Sequence, residues 1–284
     1  MKTAAVILNY NSAKDCKHCI SSLLRQSVPV EIIALDNASK PDDRSELEEF
    51  CREKNLTLLL NPENRGYNAG NNTGLRHAAQ RGFDAVLIAN PDMEFPDPDY
   101  IKKLSDCLES DSRLAVAASD ILHIEGYHQN PMSPNDGWRE SFACLAEIFK
   151  TALKRQTSPC PADWQTDREC FKVSGCALLI RMSFLEKNGF FDEYPLLYCE
   201  EAILSKQVKR SGMKMFYLAG IQAVHRHIAK NKGKANPRLR QFLRSRLYFI
   251  RKYSGDPWYG KLTASLVWLL WAGSLMSLNA LRKR

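Results

Sequence analysis

Asp92 follows five apolar residues, Ala85-Val86-Leu87-Ile88-Ala89, and the turn Asn90-Pro91. A short apolar run bounded by turn residues reads as a buried strand. Proline cannot continue a central strand, so the strand stops near Asn90. The carboxylate is thereby delivered to a loop at the carboxyl end of a strand, where open α/β sheets bind ligands. An acid there suits a hard cation carrying phosphate oxygens. The competing account is a surface turn that happens to hold an acid, and three other strand ends weigh against it.

Asn9-Tyr10-Asn11-Ser12 follows the first strand pattern. Small polar residues there either hydrogen-bond a base or phosphate, or cap the next helix. Asp36-Asn37-Ala38-Ser39 follows the second. Its acid is placed to accept hydrogen bonds from a uracil imide or a ribose, with a plain turn and N-cap as the alternative. Between Asn64 and Gly74 lie three glycines and four asparagines, including Asn64, Arg65, Gly66 and Asn71. Glycine permits close backbone approach, and a helix start favours anions. The spacing is not that of the dinucleotide fingerprint. Further on, Phe191-Asp192-Glu193 precedes Glu200-Glu201 at a predicted helix start. Paired acids suit the helix dipole; a positioned carboxylate also suits a general base.

The elements that must hold these groups alternate. Strands are predicted at Ala4–Leu8, Glu31–Asp36, Leu56–Leu60, Ala85–Ala89 and Leu114–Ala118. Helices are predicted at Ala13–Gln26, Asp42–Lys54, Asn71–Arg81 and Pro98–Ser110. This alternation predicts a Rossmann-like, mostly parallel sheet with helices on both faces. His123–Arg168 is proline-interrupted, with a helix expected near Ser141–Leu153, and reads as an insertion over the sheet. Order returns with a strand in Cys170–Ile180, a helix in Ala202–Ser211 and a strand at Lys214–Leu218. The predicted organisation is a catalytic unit over 1–225, split into a nucleotide half (1–120) and an acceptor half (121–225, insertion 123–168). A basic loop and helix (226–257) and an apolar helix (258–284) follow.

Charge is unevenly placed. From Arg226 to Lys252 there are ten Lys or Arg and no acid; removing them from the chain's 40 leaves 30 against 32 acids. So one-sided a run predicts an anionic partner. Nine cysteines are scattered, and Cys16–Cys19 is a CxxC with no second pair at zinc-ribbon spacing. Reduced thiols on a polar helix start are the reading. No secretory leader precedes the first strand, which predicts a cytoplasmic protein. Leu262–Leu281 is 20 residues without charge, diluted by Ser, Thr and Asn and flanked by Lys261 and Arg282. This predicts a helix lying in a membrane interface, with a spanning helix or a buried, oligomer-forming one as alternatives.

Taken in order, these motifs resemble the family 2 glycosyltransferases, especially bacterial enzymes of capsule, exopolysaccharide or O-antigen synthesis and their rhamnosyltransferases. The resemblance covers about Ala4 to His225. It implies a GT-A fold, a UDP- or dTDP-sugar donor, Mg2+ or Mn2+, and inversion at the anomeric carbon. It assigns Asn9, Asn11, Asp36, Asn37, Asn64, Arg65, Gly66, Asn71, Asn90 and Arg226 to the donor, and Asp92 with His225 to the metal. Gly175 and Asp192 fall to the acceptor, and Glu201, or else Glu200, to the general base. Asn90 stands where the family has the first acid of its Asp-x-Asp motif, and Glu200-Glu201 where it often has Glu-Asp. A lipid-linked saccharide acceptor at the inner face of the cytoplasmic membrane follows from the apolar tail. Two rival readings are a sugar-phosphate nucleotidyltransferase and a non-catalytic protein binding anionic lipid or nucleic acid through Arg226–Lys252.

Overall fold

A computed structural model describes residues 1–133, 137–138, 140–142, 163–227 and 235–281. The helix expected near Ser141–Leu153 lies almost wholly outside them; Glu140–Phe142 forms a short 3-10 turn.

The first half alternates as its apolar runs dictate: β1 (Thr3–Asn9), α1 (Ala13–Leu23), β2 (Val30–Asn37), α2 (Pro41–Glu53), β3 (Thr57–Asn61), α3 (Tyr67–Gln80), β4 (Ala85–Ala89), β5 (Met93–Glu94) and α4 (Tyr100–Ser110). Then come β6 (Leu114–His123), β7 (Arg168–Cys170), β8 (Ala177–Arg181), α5 (Met182–Asn188), α6 (Glu200–Arg210), β9 (Lys214–His225), α7 (Ala235–Lys252) and α8 (Trp258–Leu281). Among the described residues one nine-stranded sheet runs β3-β2-β1-β4-β8-β6-β9-β5, with β7 also on β9.

Strands β3, β2, β1 and β4 are parallel, as expected. The second half departs from a mostly parallel arrangement. β8 runs antiparallel between β4 and β6, and β5 and β7 run antiparallel on β9. The reversal has a use: Ala177, at the start of β8, pairs with Ala89, at the end of β4. The loop entering β8 therefore arrives at the same edge as the loops leaving the parallel strands.

Alternating residues of each central strand enter two cores. Ala5, Ile7, Ile32, Ala34 and Leu87 meet α1 and α4 on one face. Val6, Leu8, Ile33, Leu35 and Ile88 meet α3, α5 and α6 on the other. Cys16 and Cys19 lie on the buried face of α1, fully enclosed, rather than on a polar helix start. Burial pushes both thiols well above their ordinary pKa, as expected of inert core cysteines.

Helix α3 begins at Tyr67, four residues before the predicted start. Glycine is a poor helix former, which hides the first turn from a propensity reading. Tertiary packing overrides it: a Cβ on Gly70 would stand 2.8 Å from Leu8, and one on Gly74 2.8 Å from Val6 and Leu35. The glycines let the helix lie close on the sheet. β6 and β9 both run further than predicted, held together to the pair His123 and His225 past a register shift at Ser119/Asp120.

A third core joins α7 and α8 to α6. Ala202 and Ile203 of α6, Phe249 and Ile250 of α7, Tyr253 just after it, and Ala264 of α8 form it, with Trp268 packed against them. Helix α8 thus buries one face, while Trp258, Leu262, Leu266, Leu269 and Leu270 remain exposed. Among the described residues no helix is long and apolar enough to cross a membrane. The spanning alternative fails, because hydroxyl residues dilute α8 and one of its faces is committed to packing.

Candidate active site

The parallel register aligns the carboxyl ends of the strands. Asn9 sits opposite Asp36, and Asn37 opposite Asn61. Two adjoining clefts open above them. The first, about 730 Å³, is walled by Tyr10 and Ser12 after β1, Asn37 at the end of β2, Asn64, Gly66, Tyr67, Asn90 to Asp92, Leu196, Leu197, His225 and His227. The second, about 400 Å³, shares Tyr67, Asn90, Leu197 and His225 with it. It continues over Gln129, Ser174 to Cys176, Tyr198 to Glu201, and Phe242.

On the floor of the first cleft stands Asp92. Its Oδ2 lies 3.3 Å from His225 Nε2 and 3.1 Å from His227 Nδ1. One ligand atom from each of the three residues lies within 4.8 Å of the others. Burial works to raise the Asp92 pKa, but the imidazoles of His225 and His227 beside it hold it below the usual carboxylate range. Its other oxygen, Oδ1, is buried without a partner, and so is Oδ1 of Asn90. Buried oxygens without a partner are costly. Two of them beside two imidazoles make a donor set that suits a divalent cation.

His227 was not singled out in the sequence. Its signal is there: His225-x-His227 in extended chain places both rings on one side, at the end of β9 beside β5. Tyr67 was missed as well. It lines both clefts, and its hydroxyl donates to the Gly175 carbonyl at 2.7 Å.

Several expected donor residues instead build the frame. Asp36 is wholly buried; Oδ1 accepts from Asn9 Nδ2 at 3.2 Å, and Oδ2 from Ser39 N at 3.1 Å and Arg44 Nε at 3.0 Å. A buried carboxylate needs such partners, and they turn it away from the cleft. Its neighbour Asn37 faces the cleft instead. Asn9, also buried, spends its amide on Asp36, Ser39 and Asp43. Asn11 accepts from Lys40 N at 2.9 Å and lies outside both clefts. Asn71 donates to Tyr67 O within its own helix.

Asn64 and Gly66 do reach the cleft. Asn64 Oδ1 accepts from Asn37 Nδ2 at 3.1 Å and from Gly66 N at 2.9 Å. Gly66 has φ +99°, and a Cβ there would fall 2.4 Å from Leu196 O. Only glycine fits that left-handed, crowded position. Arg65 points outward to Glu193 at 3.4 Å. Arg226 pairs with Glu94 at 2.7 Å in a small side cleft with Asp15, His18 and Asp92.

In the second cleft Glu200 and Glu201 open α6. Glu200 Oε1 accepts from Tyr198 N at 2.6 Å, and Glu201 Oε1 accepts from Gly175 N at 3.3 Å. Burial, and then the neighbouring Glu201 charge, raise the Glu200 pKa to about 8. A carboxyl raised in this way holds its proton at neutral pH. Asp192, expected at the acceptor, lies outside both clefts. Its Oδ2 accepts from Tyr248 Oη, Tyr253 Oη and Lys252 Nζ at 2.5 to 2.8 Å, which ties α7 to the segment before α6. These partners hold its pKa down at about 2 in spite of partial burial.

Residues 4–185 match the family model described as glycosyl transferase family 2. The chain is 26% identical over 221 residues to the low-salt glycan biosynthesis hexosyltransferase Agl10 of Haloferax volcanii, covering 78% of this chain and 66% of that protein. The chain thus spans just under two thirds of that relative. It is 21% identical over 257 residues to the rhamnosyltransferase WbbL of Escherichia coli, covering 87% and 92%. Its fold is similar to that of the mannosyltransferase PcManGT of Pyrobaculum calidifontis, solved with GDP-Man and Mn2+. The TM-score is 0.61 at 15% identity, over 98% of this chain and 75% of the other.

Proposed function

The chain belongs to glycosyl transferase family 2, and from that membership we propose that it moves a sugar from a UDP- or dTDP-linked donor to a saccharide hydroxyl, with inversion, in glycan synthesis. The observation that carries the reading is the meeting of the two clefts. The Asp92, His225 and His227 group in one faces, across Tyr67 and Asn90, the Glu200–Glu201 pair in the other.

The donor occupies the first cleft, with Asn37, Asn64 and the Gly66 backbone toward its nucleotide. Asp92, His225 and His227 fit Mn2+ or Mg2+, and Asn90 Oδ1 offers a further oxygen. Bound there, the ion supplies positive charge against the diphosphate leaving group. Glu201 takes the proton of the acceptor hydroxyl as its oxygen attacks the anomeric carbon. The bond from that carbon to the diphosphate oxygen breaks, and the nucleoside diphosphate leaves. Single displacement inverts the centre. Incubation with a panel of nucleotide sugars and Mn2+ tests this: a nucleoside diphosphate is the expected product. Release of pyrophosphate instead points to a nucleotidyltransferase, and no turnover with tight nucleic-acid binding points to a binding protein.

The acceptor is carried on lipid at the inner face of the cytoplasmic membrane. Support comes from the exposed row Leu262, Leu266, Leu269 and Leu270 on α8, beside an α7 whose first turn holds no acid and whose last turn holds Arg251 and Lys252. Apolar side chains with basic neighbours bind anionic bilayers, and salt weakens the electrostatic part. The protein is expected to co-sediment with phosphatidylglycerol vesicles and to come off partly at high salt. Leu266→Ser with Leu270→Ser is expected to abolish sedimentation while leaving the melting temperature unchanged. A wild-type protein that stays in the supernatant refutes the membrane reading.

A further inference from the structure

His225 has a second partner. Its Nδ1 lies 2.9 Å from Oε1 of Gln129, while its Nε2 faces Asp92. A carbonyl oxygen only accepts, so Nδ1 carries a hydrogen, and in the neutral ring Nε2 is left with its lone pair toward the cleft. Cys176 Sγ also donates toward the same Oε1, at 3.9 Å. The Gln129 oxygen is thus an acceptor from two sides.

Gln129 is itself held firmly. Its backbone N donates to Ile121 O at 2.9 Å, and the preceding residue, His128, bridges back to Leu122. The next residue, Asn130, is fully buried. Its Nδ2 donates to Ser119 O at 2.8 Å, and its Oδ1 accepts from Ser174 N at 2.7 Å. The carboxamide is therefore fixed between β6, the loop entering β8 and the imidazole of His225.

Without such a partner, His225 would do best with its hydrogen on Nε2, donated to the Asp92 carboxylate. That arrangement blocks Nε2 as a ligand. We infer that Gln129 is a positioning residue that holds His225 in its Nδ1–H form and so presents Nε2, together with Asp92 and His227, to a divalent cation. The inference rests on the metal reading of that group, but the tautomer can be measured apart from it. Residues that orient a ligand histidine in this way change metal affinity by about 10- to 100-fold when removed. No sequence motif marks Gln129, since it lies within the irregular stretch after β6 and meets His225 only in the fold.

Two measurements test the assignment. Mn2+ binding, read from the spectrum of free Mn2+ by electron paramagnetic resonance, is expected to weaken about 10- to 100-fold in Gln129→Leu. Gln129→Glu, which restores an acceptor, is expected to return affinity to at least the wild-type value. Gln129→Met serves if the leucine variant melts early. In metal-free, 15N-histidine-labelled protein, His225 is expected as the Nδ1–H tautomer in the wild type and as Nε2–H in Gln129→Leu, with His225→Asn identifying its signals. An Nε2–H tautomer in the wild type overturns the inference, as does wild-type Mn2+ affinity in the leucine variant. If the wild type binds no Mn2+, the metal reading falls, and the tautomer still decides the role of Gln129.

Discussion

Asp92→Ala is expected to reduce sugar transfer by about 10²- to 10³-fold at saturating donor and Mn2+, the scale seen when one fixed electrostatic contact to a developing charge is lost. The fold should survive. Asp92 sits on the loop after β4, and one of its oxygens is buried without a partner, so truncation relieves an unsatisfied atom. The loop is held by the main chain, through Arg226 N donating to Asp92 O at 2.8 Å and Asn90 N to Cys176 O at 2.8 Å, and alanine keeps both. Turnover and thermal melting together check the claim. Near wild-type turnover with unchanged melting would remove Asp92 from the reaction, and the cation site with it.

The placement of Asp92 was legible because it needed only local information: an apolar run, a proline and the rule that ligands gather at strand ends. Asp36 was legible as a strand end but not as a buried one. Its orientation depends on Arg44, eight residues on, and on Asn9 from another strand, and no local pattern reports that pairing. The same limit explains Asp192, whose partners Tyr248, Lys252 and Tyr253 come from the last turn of α7 and the residue after it. Acid in a loop reads the same whether it meets a substrate or three donors from a distant segment. The tail was ambiguous for a different reason. Leu262–Leu281 is uncharged on all sides, and only the third core decides which side is buried.

The antiparallel β8 is the topological step that no strand pattern announced, and it matters most for the base. Because β8 starts where β4 ends, Gly175 meets the start of α6. A Cβ on Gly175 would lie 3.4 Å from Glu201 Oε1, so the absence of a side chain leaves room beside that carboxylate. On the proposed mechanism, the acceptor hydroxyl approaches Glu201 within this space.

Glu201→Gln is therefore expected to lower turnover by about 10²- to 10⁴-fold, the usual worth of a general base, while donor affinity stays unchanged. The amide preserves the contact with Gly175 N, since its oxygen still accepts, and only the capacity to take a proton is lost. Glu200 should behave differently. Burial and the Glu201 charge raise its pKa to about 8, so at pH 7 it already carries a proton. Glutamine is then a close mimic, and Glu200→Gln should cost only a few-fold at neutral pH. The sign of the pH effect follows. As pH rises through about 8 the wild type gains a negative charge on Glu200 beside the proposed base, so its profile should bend there, and the bend should vanish in Glu200→Gln. Turnover measured from pH 6 to 9 for the three proteins decides the assignment. A crippled Glu200→Gln beside a normal Glu201→Gln reverses the two roles, and normal turnover in both removes the start of α6 from the chemistry.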